Sequence, residues 1–183
     1  MLASFRSLFR RAESPEVRAG KARMAIDHRD PDRRFVFGLL ALSYSVDPAY
    51  LPFHASRVVC ESYGLTSTVA VRERILQFMV MRRKNPGFDL FRGALLARAG
   101  YGAGLLGEDE SWYRALGVAT EVRSVFRSWP EVAASYEAGH LDERRSQGDS
   151  REVIAEHQAE LRARVARLTR TIWRDTRFPL DLS

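Results

Sequence analysis

From Phe88 to Phe126 the apolar residues return every three or four positions, and no other feature constrains the chain as strongly. Leu90, Phe91, Ala94, Leu95 and Arg98 mark successive turns toward Gly100. Trp112, Leu116, Ala119, Val122 and Phe126 repeat the pattern after Glu108, Asp109 and Glu110, where negative charge suits a helix N terminus. A strand would alternate with period two, so this spacing predicts helices. Ser128-x-x-Glu131 then reads as a capping box, with Pro130 tolerated in the first turn and a short helix to Gly139. Helices over 88–104, 108–127 and 130–139 are therefore expected to pack on one another at the centre of the molecule.

The flanking sequence extends the same pattern. Asp30-Pro31 supplies an N-cap and a first-turn proline ahead of the apolar run Phe35 to Leu42, which is expected as a buried helix, with a strand as the alternative. Val46 to Phe53 is interrupted by prolines and reads as a loop; Ala55 to Tyr63 reads as a short helix stopped by Gly64. Val71, Ile75, Phe78 and Met79 draw the next helical face, which Asn85-Pro86-Gly87 ends. Leu141 to Asp149 is polar throughout and is the strongest linker candidate. Asp149-x-x-Glu152 is expected to cap the longest helix, running to about Trp173 with Ile154, Leu161, Val165, Leu168 and Ile172 on one stripe. The apolar Phe178-Pro179-Leu180 is expected to fold back on it.

At the other end, Leu2, Phe5, Leu8 and Phe9 share a face, with Arg6, Arg10 and Arg11 elsewhere; Pro15 to His28 reads as a second, more polar helix. The expected organisation is a peripheral N-terminal pair of helices over residues 1–29 and a helical domain over 30–183 with a motif core at 88–140. The expected fold class is all-α, a single-domain irregular helical bundle of about seven to nine helices.

Chemistry is much less legible. The formal charge is +6, from 29 Lys and Arg against 23 Asp and Glu, and a basic balance of this size makes anionic partners plausible. Arg6, Arg10 and Arg11 are candidate contacts for an anionic membrane surface. Arg162, Arg164, Arg167, Arg170 and Arg174, with Arg82 to Lys84, are candidate contacts for nucleic acid, with Trp173 and Tyr101 as stacking groups. Against this, the last helix places its acids first and its arginines last, an order the helix dipole explains without any ligand. The histidines at 28, 54, 140 and 157 never take a metal-binding spacing, and Cys60 is the sole cysteine, expected as a small buried thiol in a reducing compartment. Gly100, Gly102 and Gly104 follow a helix in a GxGxG pattern, which is not a dinucleotide fingerprint. No catalytic residue, metal or small-molecule cofactor is predicted. Asp89, Arg92 and Arg98 near Tyr101 make a candidate polar cleft, with a structural ion pair on the central helix as the alternative.

Three segments, taken in order, carry a family resemblance. They are Phe88-Asp89-x-x-Arg92, Leu96-Ala97-Arg98-x-Gly100-Tyr101-x-x-Gly104 and Ser128-Trp129-x-x-x-x-x-Ser135-Tyr136-x-x-Gly139. They resemble a bacterial family known only as domain of unknown function 1266. The chain departs from that pattern at Val132, where a large residue is usual, and at His140, where an arginine is usual. The resemblance implies a bacterial, mainly helical protein and marks Asp89, Arg92, Arg98, Gly100, Tyr101, Gly104, Trp129 and Tyr136 as motif positions without giving any a catalytic role. Trp129 and Tyr136, seven apart, share a helix face and are expected to anchor it against Gly100 to Gly104.

Together these readings favour a non-enzymatic bacterial interaction protein, an adaptor or regulator that binds another protein in the cytoplasm. The alternatives are a peripheral binder of anionic surfaces, membrane or nucleic acid, including a place at the inner membrane, and an enzyme built around Asp89, Arg92 and Arg98.

Overall fold

In the computed structural model of the protein, residues 26–43, 56–80, 84–176 and 178 are described. The expectations for Arg6, Arg10, Arg11 and the rest of the N-terminal segment before Ile26, for Val46 to Phe53, for Arg82-Arg83 and for Pro179-Leu180 lie outside them. Within them the chain forms α1 (Pro31–Leu40), α2 (Ser56–Ser62), α3 (Thr68–Val80), α4 (Pro86–Gly102), α5 (Glu108–Val125), α6 (Trp129–Ser146) and α7 (Arg151–Thr169). The described residues include no strand, so the expected all-α domain is the fold, with the strand alternative for Phe35 to Leu42 removed.

α1 starts where Asp30 accepts hydrogen bonds from the backbone of Asp32 and Arg33, at 2.9 and 3.1 Å, and Pro31 fills the first position. Its six residues from Phe35 to Leu40 are all buried, and it packs on α4 and α5. α4 is the axis of the molecule, packed on by α1, α2, α3, α5 and α6. Thirteen of its 17 residues are buried, which is why its apolar stripe is diluted by residues that face yet another neighbour. It closes in a turn where both Leu105 and Leu106 donate to the Gly100 carbonyl, at 2.8 and 3.0 Å, and Gly104 takes a φ of +73° that a side chain would oppose.

α6 does not stop at Gly139 but continues to Ser146, so most of the segment expected as a linker is helical. Gly139 is not a helix end. A Cβ there would lie 2.5 Å from Phe88 Cβ, so the glycine lets α6 cross α4 closely, and the polar residues after it are the solvent face of two further turns. Likewise α7 is capped by Ser150, which accepts from Val153 N at 3.4 Å, rather than by Asp149, which pairs with Arg144. The Ser128 cap forms as expected, but Glu131 takes the N–H of Arg127 at 2.8 Å, one residue earlier than a capping box requires. α7 ends at Thr169, and turns carry the chain on to Trp173 and Phe178.

Candidate functional site

The first turns of α4 set Asp89 and Arg92 three positions apart on one face. Arg92 donates to the Tyr63 hydroxyl at 2.9 Å and to Glu143 of α6 at 2.8 Å, and its guanidinium lies over the rings of Phe78, Phe88 and Tyr63 at 4.8, 4.9 and 5.4 Å. Asp89, only 4% exposed, is 4.0 Å from it. Phe88, Asp89, Arg92 and Glu143 line a cleft of about 300 Å3 between α4 and α6, completed by Lys84, Asn85, Asp142 and Ser146. Asp142 is held by Arg145 at 2.8 Å and Asn85 at 3.3 Å. Acids and cations thus meet here as partners, with no imidazole or thiol among the lining groups.

Arg98 is not part of that cleft. It sits further along α4, stacked 3.8 Å over Trp112 and 5.3 Å from Tyr101, and donates to Ser111 Oγ at 2.8 Å, which in turn donates to the Ala97 carbonyl. Burial lowers its pKa to about 10, with Asp27, Glu108 and Tyr101 acting in the opposite sense. Arg33 lies against the same indole at 4.7 Å and is bonded to the buried Asp27 at 2.5 Å. The motif positions therefore divide: Asp89 and Arg92 come together, while Arg98 and Tyr101 form a second cluster beside the Gly100 to Gly104 turn.

Trp129 and Tyr136 also separate. Tyr136 stands edge-on to Phe91 and Phe88, with centroids 4.9 and 5.5 Å away. Trp129 does not reach the glycine turn; it packs on Phe35 of α1 and stacks parallel on Trp173, at 5.0 Å and 1°. α4 crosses the shared face near Tyr136, and a helix turn at each end separates two different neighbours, so a common face gave the two rings no common partner. The pair of indoles is fixed by hydrogen bonds from Trp129 Nε1 to the Thr176 carbonyl at 2.7 Å and from Trp173 Nε1 to the Gly38 carbonyl at 2.8 Å.

Over this stack runs a largely apolar groove of about 500 Å3. Trp129, Pro130, Thr169, Trp173 and Phe178 line it, with Arg127 and Arg174 among the lining residues. Phe178 meets Trp129 edge-on at 5.0 Å, so the tail does fold back at this residue. The groove escaped the sequence because Gly38 and Trp173 are 135 positions apart and no local spacing links them; the isolated tryptophans and Phe178 were the only signals available.

The arginines of the last helix face several ways. Arg164 donates to the Leu42 carbonyl at 2.8 Å, Arg162 lies 3.4 Å from Glu137, Arg170 donates to the Ala166 carbonyl and Arg174 to Asp175. Trp173, expected as a stacking group for nucleic acid, is 5% exposed and spent inside the indole pair, and Tyr101 lies half-buried against Arg98. Cys60 is buried and its thiol pKa is raised by burial and then by Glu61, which keeps it from acting as a ready thiolate. Among the described residues no cluster of three His, Cys, Asp or Glu could hold a metal ion, and no helix is long and apolar enough to cross a membrane.

Compared with known proteins, residues 4–176 match the model of a family described as "Protein of unknown function (DUF1266)". No curated protein and no solved structure matches the chain.

Proposed function

Because the chain belongs to the DUF1266 family, whose description brings no activity with it, we propose from its geometry a non-enzymatic adaptor or regulator that holds another protein in the groove over Trp129 and Trp173. The observation that carries this reading is the groove itself: a floor held rigid by the hydrogen-bonded, buried indole pair, with Pro130, Thr169 and Phe178 forming the accessible lining around it. A preformed, rigid apolar groove receives a partner at little cost in conformational entropy. The partner segment is apolar with flanking carboxylates, to match Arg127 and Arg174 on a chain of net charge +6. The single buried cysteine and the family resemblance favour a bacterial cytoplasm as its location.

The test uses an acidic, leucine-rich helical peptide and the indole fluorescence of the intact protein. Saturable binding that persists at high salt, and that is lost in the double variant Arg127→Glu/Arg174→Glu, is expected. The same pair of proteins used as bait in a bacterial lysate should differ by one stoichiometric partner. Turnover of any substrate by the pure protein, or indifference of both experiments to the double variant, removes the reading.

A second reading has one observation of its own. Arg167 and Arg170 on the exposed side of the C-terminal end of α7 have no carboxylate partner among the described residues, which suits an anionic surface such as a membrane or nucleic acid. Binding to anionic vesicles or DNA that disappears with salt and in Arg167→Glu/Arg170→Glu would select it over the groove.

A further inference from the structure

A separate cavity of about 230 Å3 opens where the end of α1 meets α6 and α7. His140 and His157 line it, their rings edge to face at 5.8 Å, and His140 stacks on Tyr136 at 5.8 Å and 12°. Among the described residues neither imidazole has a hydrogen-bond partner in the protein. Arg164 enters from α7, spending Nη1 on the Leu42 carbonyl and keeping its other N–H groups unspent among the described residues. Tyr136 and Ser43 form another wall of the same cavity.

We propose that this cavity binds a small phosphoryl-bearing anion between Arg164, His140 and His157. The donors come from two helices and point into one space, an arrangement that suits a tetrahedral oxyanion better than a planar carboxylate, which two parallel N–H groups satisfy. The volume leaves room for a short organic substituent on the phosphoryl group. The titratable and charged groups around His140 are Tyr136 and Arg144 from α6 and His157, Glu160 and Arg164 from α7, with Ser43 beyond α1 in the same lining. Glu160 is the acid in the lining; it is exposed, where water screens it, while the cationic groups are half-buried.

The electrostatics agree in sign. Burial first, then His157, Arg144 and Arg164, hold His140 below the ordinary imidazole range, so the site is positive and His140 is neutral near pH 7. An anion between these groups offsets the repulsion and favours the imidazolium. Binding therefore takes up a proton and tightens as pH falls toward 6 or so.

The experiment follows the imidazole resonances of the full chain through a pH titration in sulfate, a dianion across the whole range, against chloride at equal ionic strength. Sulfate should raise the His140 midpoint saturably; equal His140 midpoints in the two salts overturn the proposal. Calorimetry with inorganic phosphate should show binding weakened by about tenfold in Arg164→Gln and in His157→Gln. His157 is half-buried and its side chain makes a ring contact but no hydrogen bond among the described residues, so its variant preserves the test if loss of the Leu42 hydrogen bond unfolds the former. Unchanged affinity in His157→Gln overturns the site, and acetate binding as tightly as phosphate overturns the phosphoryl assignment.

Discussion

Arg92 and Arg98 are two arginines of one helix in opposite situations. Arg92 joins three helices through Tyr63, Glu143 and three aromatic faces. Arg98 has a hydroxyl and two rings around it, and burial has already lowered its pKa to about 10. A buried cation without a tightly bonded carboxylate gains little from its charge, because desolvation consumes most of the attraction. Arg98→Met should therefore leave stability within about 1 kcal/mol of the parent, or raise it. Arg92→Met strands Glu143 and the Tyr63 hydroxyl and should cost about 2–3 kcal/mol, both measured by urea unfolding. The i,i+3 relation of Asp89 to Arg92 was legible in the sequence. The bond from Arg92 to Glu143 spans 51 positions, and nothing local announces it.

Between helices, close approach is set by where a side chain is missing. Gly139 faces Phe88 and Asn85 so closely that an added methyl group would displace both, whereas Gly117 meets only Met79 Cε, at 3.7 Å. Gly139→Ala should destabilise by about 2 kcal/mol despite the better helix propensity of alanine. Gly117→Ala should stabilise by up to about 1 kcal/mol, and thermal melts of the two variants report the opposite signs. The same contrast explains how the sequence misleads about α6. A glycine followed by polar residues reads as a helix stop, and only the crossing with α4 shows that it is a contact. Caps carried by a single side chain, Asp30 and Ser128, were legible because the residue and its amide partners lie within three positions. The cap of α7 was displaced by one residue because Asp149 is drawn away to Arg144.

Across the whole molecule, burial is unevenly shared. α4 buries most of its length, while α7 buries Leu161 and Leu168 out of 19 residues and leans mainly on α6. Amides in the middle of α4 should exchange only through global unfolding, and those in the first half of α7 about a hundredfold faster through local opening, which hydrogen exchange reads directly. The all-α class was legible because it needs only the period of the apolar residues; the mutual packing of the helices in the 88–140 stretch was legible because they follow one another along the chain; the functional surfaces were not, because each is assembled from distant segments. The indole pair carries that distance into biosynthesis. α1 is made well before the wall that completes its packing beyond α4 and α5, which is Trp129 and then Trp173, whose N–H reaches back to the Gly38 carbonyl. Phe35 has no finished neighbourhood until Trp129 and then Phe178 have been translated. The nascent chain therefore carries α1 with one side still open after α4 and α5 have formed, and that side closes only when the Trp173 segment follows.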